Sequence, residues 1–162
     1  MNCIACGAPL VAHRETVRYD DCGLPDVYLV DVEVRRCRAC GEEEIVIPRM
    51  AELHRAIAEA LALRPAPLNG TEIRFLRKFL GLSQRELASR MGLRQETISR
   101  YENDRERMGS PAERLLRLLV LWGSAGREQP PLLEIAREST RPSRAPIRLV
   151  RDQRGRWRPR AA

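Results

Sequence analysis

Hydrophobic positions along this chain change their period several times, and each change marks an element. Tyr28, Val30, Val32 and Val34 alternate with Leu29, Asp31, Glu33 and Arg35, the two-residue period of a half-buried strand. Cys22-Gly23-Leu24-Pro25 reads as a turn, so residues 16–19 and 27–35 are expected to pair as a hairpin. A short run over 44–47 ends at Pro48. Met50, Leu53, Ile57 and Leu61 then recur every three or four residues, the stripe of an amphipathic helix. Arg64-Pro65-Ala66-Pro67 stops that helix and reads as a short semi-rigid linker.

Helix-start signals follow. Asn69-x-x-Glu72, Ser83-x-x-Glu86 and Ser110-x-x-Glu113 each place a capping residue three positions before a glutamate, and Pro111 fits a first helical position. The apolar residues between them (Ile73, Leu76, Phe79 and Leu80; Leu87, Ala88 and Met91; Leu93, Ile98 and Tyr101; Leu115 to Trp122) describe a bundle of four or five short helices. Two of these helices are informative. One runs from Ser83 and ends at Gly92, and the next covers 95–102. Gly92 suits a left-handed turn, Ala88 allows close approach, and Leu93 and Ile98 plug the angle between the helices. This is the helix-turn-helix pattern.

In that geometry Gln95, Glu96, Ser99 and Arg100 face a major groove while Ile98 and Tyr101 face the core. Arg100 can fork onto guanine and Gln95 can pair with adenine, while Glu96 can accept from cytosine or reject wrong sites. Gln84, Arg94, Thr97 and Arg105 are placed for phosphates. A helical bundle that does not bind DNA is the alternative.

Charge divides the chain further. Net charge is +7, yet residues 1–66 hold 8 basic and 11 acidic side chains. The excess sits at the end, where residues 139–162 carry eight arginines (141, 144, 148, 151, 154, 156, 158 and 160) against Asp152. Rich in Arg, Pro and Gly, this tail is expected to be disordered, with Trp157 free to stack on a base, after a last short helix over 132–138. Near DNA these arginines would add a sequence-independent, salt-sensitive attraction, and RNA or an acidic partner would serve equally well. Lys78 is the only lysine, so an arginine-rich overhang without function is an equal reading of the tail. No apolar run is long enough to cross a membrane and no signal peptide opens the chain, so the cytosol is the expected location.

In a reducing compartment, paired C-x-x-C units read as metal ligands. Cys3-Ile-Ala-Cys6-Gly7 and Cys37-Arg-Ala-Cys40-Gly41 are two knuckles of one design, each presenting two thiolates to a single ion. Four thiolates leave no open coordination position, which argues for one structural zinc rather than a catalytic metal. A rubredoxin-like iron site and a thioredoxin-like redox pair are the competitors, and the latter lacks its βαβ context. Cys22 falls off the knuckle spacing as a spectator, and His13 and His54 are isolated. Ser/His/Asp, Cys/His/Asn and H-E-x-x-H sets are missing, so an enzyme is not expected.

Taken together, Cys3-x-x-Cys6 and Cys37-x-x-Cys40, a short linker, then Leu82-Ser83-Gln84 and Ser99-Arg100-Tyr101-Glu102 make residues 1–122 resemble the MqsA/YgiT-type antitoxins. Glu96 stands where the best-known members have asparagine, and the segment after Gly123 has no counterpart in the short members. The resemblance implies an α+β chain. A zinc-bound β-hairpin and helix domain (1–64) and a linker (65–69) would precede a lambda-repressor-like helix-turn-helix domain (70–122). Beyond the resemblance, the residues themselves predict a short helical extension (123–138) and the disordered basic tail (139–162). The resemblance further implies zinc at Cys3, Cys6, Cys37 and Cys40, base reading by Arg100, and a homodimer on palindromic operator DNA that represses its own operon. It also implies a cognate toxin, a small basic ribonuclease matched to the acidic front. The alternative is a stand-alone zinc-containing helix-turn-helix regulator.

Overall fold

The computed structural model describes residues 1–123 and 146–159. In chain order the elements are strands β1 (Leu10–Arg18), β2 (Val27–Cys37) and β3 (Glu43–Val46), then helices α1 (Met50–Leu63), α2 (Gly70–Phe79), α3 (Gln84–Met91), α4 (Gln95–Glu102) and α5 (Ser110–Gly123). Strands β4 (Ile147–Arg151) and β5 (Trp157–Pro159) close the described chain. An amino-terminal sheet carrying a cysteine cluster, with α1 beside it, is followed by an all-helical region of four helices, α2–α5. Among the described residues no helix is long and apolar enough to cross a membrane.

β2 is the spine of the sheet. It pairs antiparallel with β1 along one edge, with β3 through Glu33–Arg36 and parallel with β4 through Val27–Leu29 on the other. Its alternation is not continuous. Glu15 lies opposite Val32 and Val17 opposite Leu29, so two residues of β2, Val30 and Asp31, oppose Thr16 alone. Asp31 is left-handed, with φ 57°. This β-bulge inverts the strand's phase. Past it Val32 and Val34 are buried as the alternation predicts, but before it Val27 and Leu29 are buried and Tyr28 turns outward.

Over the inner face of the sheet lies α1, whose Leu53, Ile57 and Leu61 are fully buried as the stripe predicts. Met50 is exposed instead, accepting a hydrogen bond from the Tyr19 hydroxyl. One apolar cluster runs from Leu29 and Val34 through α1 to Ile73, Leu76, Leu116 and Val120 of the helical region.

The carboxy-terminal segment departs from the disorder its composition predicts. Residues 147–159 fold as a hairpin on the edge of β2, with Leu149 fully buried and Trp157 5% exposed. The Trp157 indole N–H donates to the Pro48 carbonyl at 3.1 Å, so this ring is a core anchor rather than a free stacking surface. Few apolar residues suffice because each lands on an existing core. The helix predicted over 132–138, and Arg141, Arg144 and Arg160, lie outside the described residues.

Candidate metal centre and nucleic-acid interface

Each knuckle is built by the same backbone device. Gly7 N–H donates to the Cys3 carbonyl and Gly41 N–H to the Cys37 carbonyl, both at 2.9 Å. Cys3 N–H donates to the Ala8 carbonyl and Cys37 N–H to the Glu42 carbonyl, both at 2.8 Å. Gly7 and Gly41 have φ of 76° and 78°, which explains glycine after each second cysteine. The strands carry the knuckles together: Leu10, just after the first, pairs with Cys37, which opens the second.

The four sulfurs all lie within 4.8 Å of one another, and these cysteines can hold a metal ion. The Cys3–Cys40 and Cys6–Cys37 Sγ distances are 3.6 and 3.4 Å. A tetrahedron with metal–sulfur bonds of about 2.3 Å has edges of about 3.8 Å, close to these values, whereas a disulfide needs about 2.05 Å. Cys3 and Cys37 are buried while Cys6 and Cys40 are exposed. The Cys40 N–H, ahead of its other neighbours, holds the Cys37 thiol down to about 6. Cys40 itself accepts from the Glu42 N–H, yet the sulfurs of Cys6, Cys37 and Cys3 push it up to about 12. Four thiolates at this spacing therefore repel one another, and a divalent cation at their centre resolves the conflict.

Cys22 stands apart, half-buried, with its Sγ on the Tyr19 carbonyl at 3.4 Å. His13 lies 3.4 Å from the Glu15 carboxylate and His54 3.0 Å from the Tyr19 hydroxyl.

In the helical region, α3 and α4 form the motif. Ser83 caps α3 in a full capping box with Glu86, and Gly92 closes it at φ 66°. Leu93 N–H reaches back to the Ala88 carbonyl at 2.8 Å, and Ala88 and Ile98 are buried in the angle. On α4, Gln95, Glu96 and Arg100 are exposed, Thr97 and Ser99 are half-buried, and Ile98, Tyr101 and Glu102 face inward. Arg94 and Arg105, at either end of α4, are exposed. Arg100 lies 3.6 Å from Glu106 with both side chains largely in solvent, a pair too exposed to hold it.

Gln84 is differently engaged: its amide donates to Glu102 Oε2 at 2.8 Å. Glu102, which the sequence offered only as part of the motif, is the hub of these contacts. Almost fully buried at the end of α4, it accepts Nε and Nη2 of Arg77 from α2, and Arg77 Nη1 donates to the Leu82 carbonyl at 2.8 Å. Arg74 adds bonds to the Glu102 carbonyl and the Asn103 side chain, and Asp104 caps the α2 N-terminus through Gly70 N–H at 2.7 Å. Burial favours the protonated acid, yet Arg77 and Gln84 outweigh it and hold the Glu102 carboxyl below its ordinary value. Glu102 lies four residues past Ile98 on the apolar stripe, and that spacing was the available signal.

A residue that sequence reasoning missed is Arg117 on α5. Its Nη1 donates to the carbonyls of Leu61, Ala62 and Arg64, at 3.1, 2.9 and 2.6 Å, and its Nη2 to that of Ala66. Glu113 Oε1 neutralises it at 2.7 Å. One guanidinium thus satisfies the open carbonyls where α1 ends and the linker begins.

Residues 70–123, a third of the chain, match the family model of a helix-turn-helix domain. No curated protein and no solved structure matches the chain. The helix-turn-helix domain and the four-cysteine cluster fit a DNA-binding regulator with a metal site.

Proposed function

We propose that this protein is a sequence-specific transcription regulator whose α4 reads duplex DNA and whose four cysteines hold one structural zinc ion. The observation that carries the reading is the division of α4. Its inner face is fixed by Ile98, Tyr101 and the Glu102–Arg77 pair, while Gln95, Glu96 and Arg100 are exposed on the other side, Arg100 held only by a solvent-exposed pair with Glu106. A reader must combine a rigid backbone with unspent side-chain donors, and this helix has both. Arg100 and Gln95 are the proposed base readers, with Ser99 and Glu96 beside them. Arg94, Thr97 and Arg105 fit phosphate contacts, whereas Gln84 is the member whose side chain is already committed.

Zinc fits the site because four thiolates at tetrahedral spacing leave no position for water or substrate. A homodimer is proposed from α5, where Leu115, Leu118 and Trp122 are exposed at spacings of three and four, the seam of a helix pair. Sedimentation that gives a single chain mass both free and on DNA would remove the dimer.

Selection from a random duplex pool tests the reading directly. A defined, palindromic site is expected, and Arg100→Ala should weaken binding to it by about 1–3 kcal/mol and relax preference at one base pair. An Arg100→Ala variant as tight and as selective as the parent rules out α4 as the reader.

Antitoxin activity is a second reading, supported by the cysteine half. The tip of the first knuckle exposes Ile4 at 97% and Met1 at 82%, apolar groups that suit a protein partner rather than DNA. Its test is co-expression with a neighbouring toxic gene for a small basic ribonuclease. Failure to relieve that toxicity leaves the stand-alone regulator.

A further inference from the structure

The β4–β5 hairpin holds Arg148, Arg151, Arg154, Arg156 and Arg158 against one acid, Asp152. That acid is consumed inside the turn. Its Oδ1 accepts the N–H groups of Arg154 and Arg156, both at 2.9 Å, and its Oδ2 accepts Nε of Arg156 and Arg158, at 3.1 and 3.0 Å. These donors, led by the Arg156 N–H, hold the Asp152 carboxyl far below its usual range. The turn is thus fixed, with Gly155 at φ 72°.

Arginines also gather on one face of the sheet. Arg18 on β1 pairs with Tyr28 on β2, and Tyr28 with Arg148 on β4, so the three stand in a row across three strands, with Arg18 paired to Asp20 at 2.7 Å and Arg148 the open charge. The bulge at Asp31 put Tyr28 on that outer side, opposite buried Leu29 and Leu149. Arg158, opposite Val150, extends the same face by about 7 Å. Arg148 and Arg154 are exposed, and among the described residues no hydrogen bond or ion pair occupies either guanidinium. Trp157 anchors the ribbon beneath.

We propose that this ribbon is a second nucleic-acid surface, one that grips the phosphate backbone of duplex DNA without reading its sequence. Guanidinium forks match phosphate oxygens. Held on a folded hairpin, they lose less freedom on binding than the same arginines in a loose tail. Duplex DNA is favoured over an acidic protein because the same packed cluster that seats Leu149 and Trp157 also seats the reading helix. The inference therefore rests on the DNA-binding reading of α4.

The test uses the full chain, fluorescence anisotropy and two duplexes, the selected site and a random sequence of equal length, over a series of salt concentrations. Arg148→Gln with Arg154→Gln should lower the slope of log affinity against log salt by about 1.8 on both duplexes, near 0.9 per lost phosphate contact. The preference between the duplexes should stay as in the parent. Arg148→Lys with Arg154→Lys should return most of the slope, which separates lost charge from a misfolded hairpin. A Gln variant that keeps the parental slope overturns the proposal, and so does one that keeps it while losing affinity for polyglutamate, which would make the ribbon a protein-binding surface. The α4 reading fails separately, through Arg100→Ala, and its failure leaves the slope unmoved.

Discussion

The cysteine knuckles and α4 both present side chains on short local motifs, but different forces hold them in place. In the knuckles, two of the four cysteines are exposed, the flanking turns are fixed by backbone bonds, and the sulfurs around Cys40 push its thiol up. Little apolar surface is buried there, so a cation bound by the four cysteines would supply much of the stability. Helix α4 is held from beneath by Ile98, Tyr101 and a buried Glu102–Arg77 pair. One half can be undone by chelation, the other only by disturbing its packing. The difference is between a candidate metal site whose form would depend on its ion and a helix face that is built before any partner arrives.

Metal removal should produce the largest effect. Stripping the ion with a chelator, or Cys37→Ala, forfeits a binding free energy on the order of 10 kcal/mol. Hydrogen exchange should lose protection at the knuckles and in β1 and β3 while α2–α4 keep theirs. Uniform loss across both halves would erase the contrast.

Next comes Arg117→Met. Removing the guanidinium leaves the carbonyls of Leu61, Ala62, Arg64 and Ala66 unsatisfied and Glu113 unpaired, at a cost of about 3–5 kcal/mol. A denaturant midpoint equal to the parent's would mean that α1 and α5 are not joined in this way. The effect should reach both halves, because this residue spans them.

The smallest expected effect is pH-dependent. Glu102 is more acidic folded than unfolded, so its contribution is fully present above the unfolded value of about 4.3. It is lost as pH falls through the lower, folded value. Helical unfolding of the metal-free protein should therefore steepen with acidification below about pH 4.3, and Glu102→Gln should flatten that component. Identical pH profiles for parent and variant would contradict the pairing.

Much of the helix-turn-helix was legible because its signals are local. The Ser83–Glu86 capping box and the glycine stop at Gly92 each lie within one turn of what they specify, and the bounds of α4 came out at Gln95 and Glu102. The knuckles were legible for the same reason, since the four-residue spacing and following glycine define the turn. Within β2 the alternation predicted a strand but placed Tyr28 on the wrong face. Periodicity alone does not announce an added residue, and the bulge depends on how β1 pairs across it.

By itself the sequence determined every element whose stability is decided within about ten residues: caps, stops, stripes and metal-ligand spacing. Tertiary structure decided the rest. Arg117 on α5 reads as a surface arginine until it is seen against carbonyls more than fifty residues away. The arginine-rich end reads as disordered until β4 meets β2 in parallel register, Leu29 beside Leu149. Such pairings are chosen by the surface already buried when the segment arrives, and no local pattern encodes that surface.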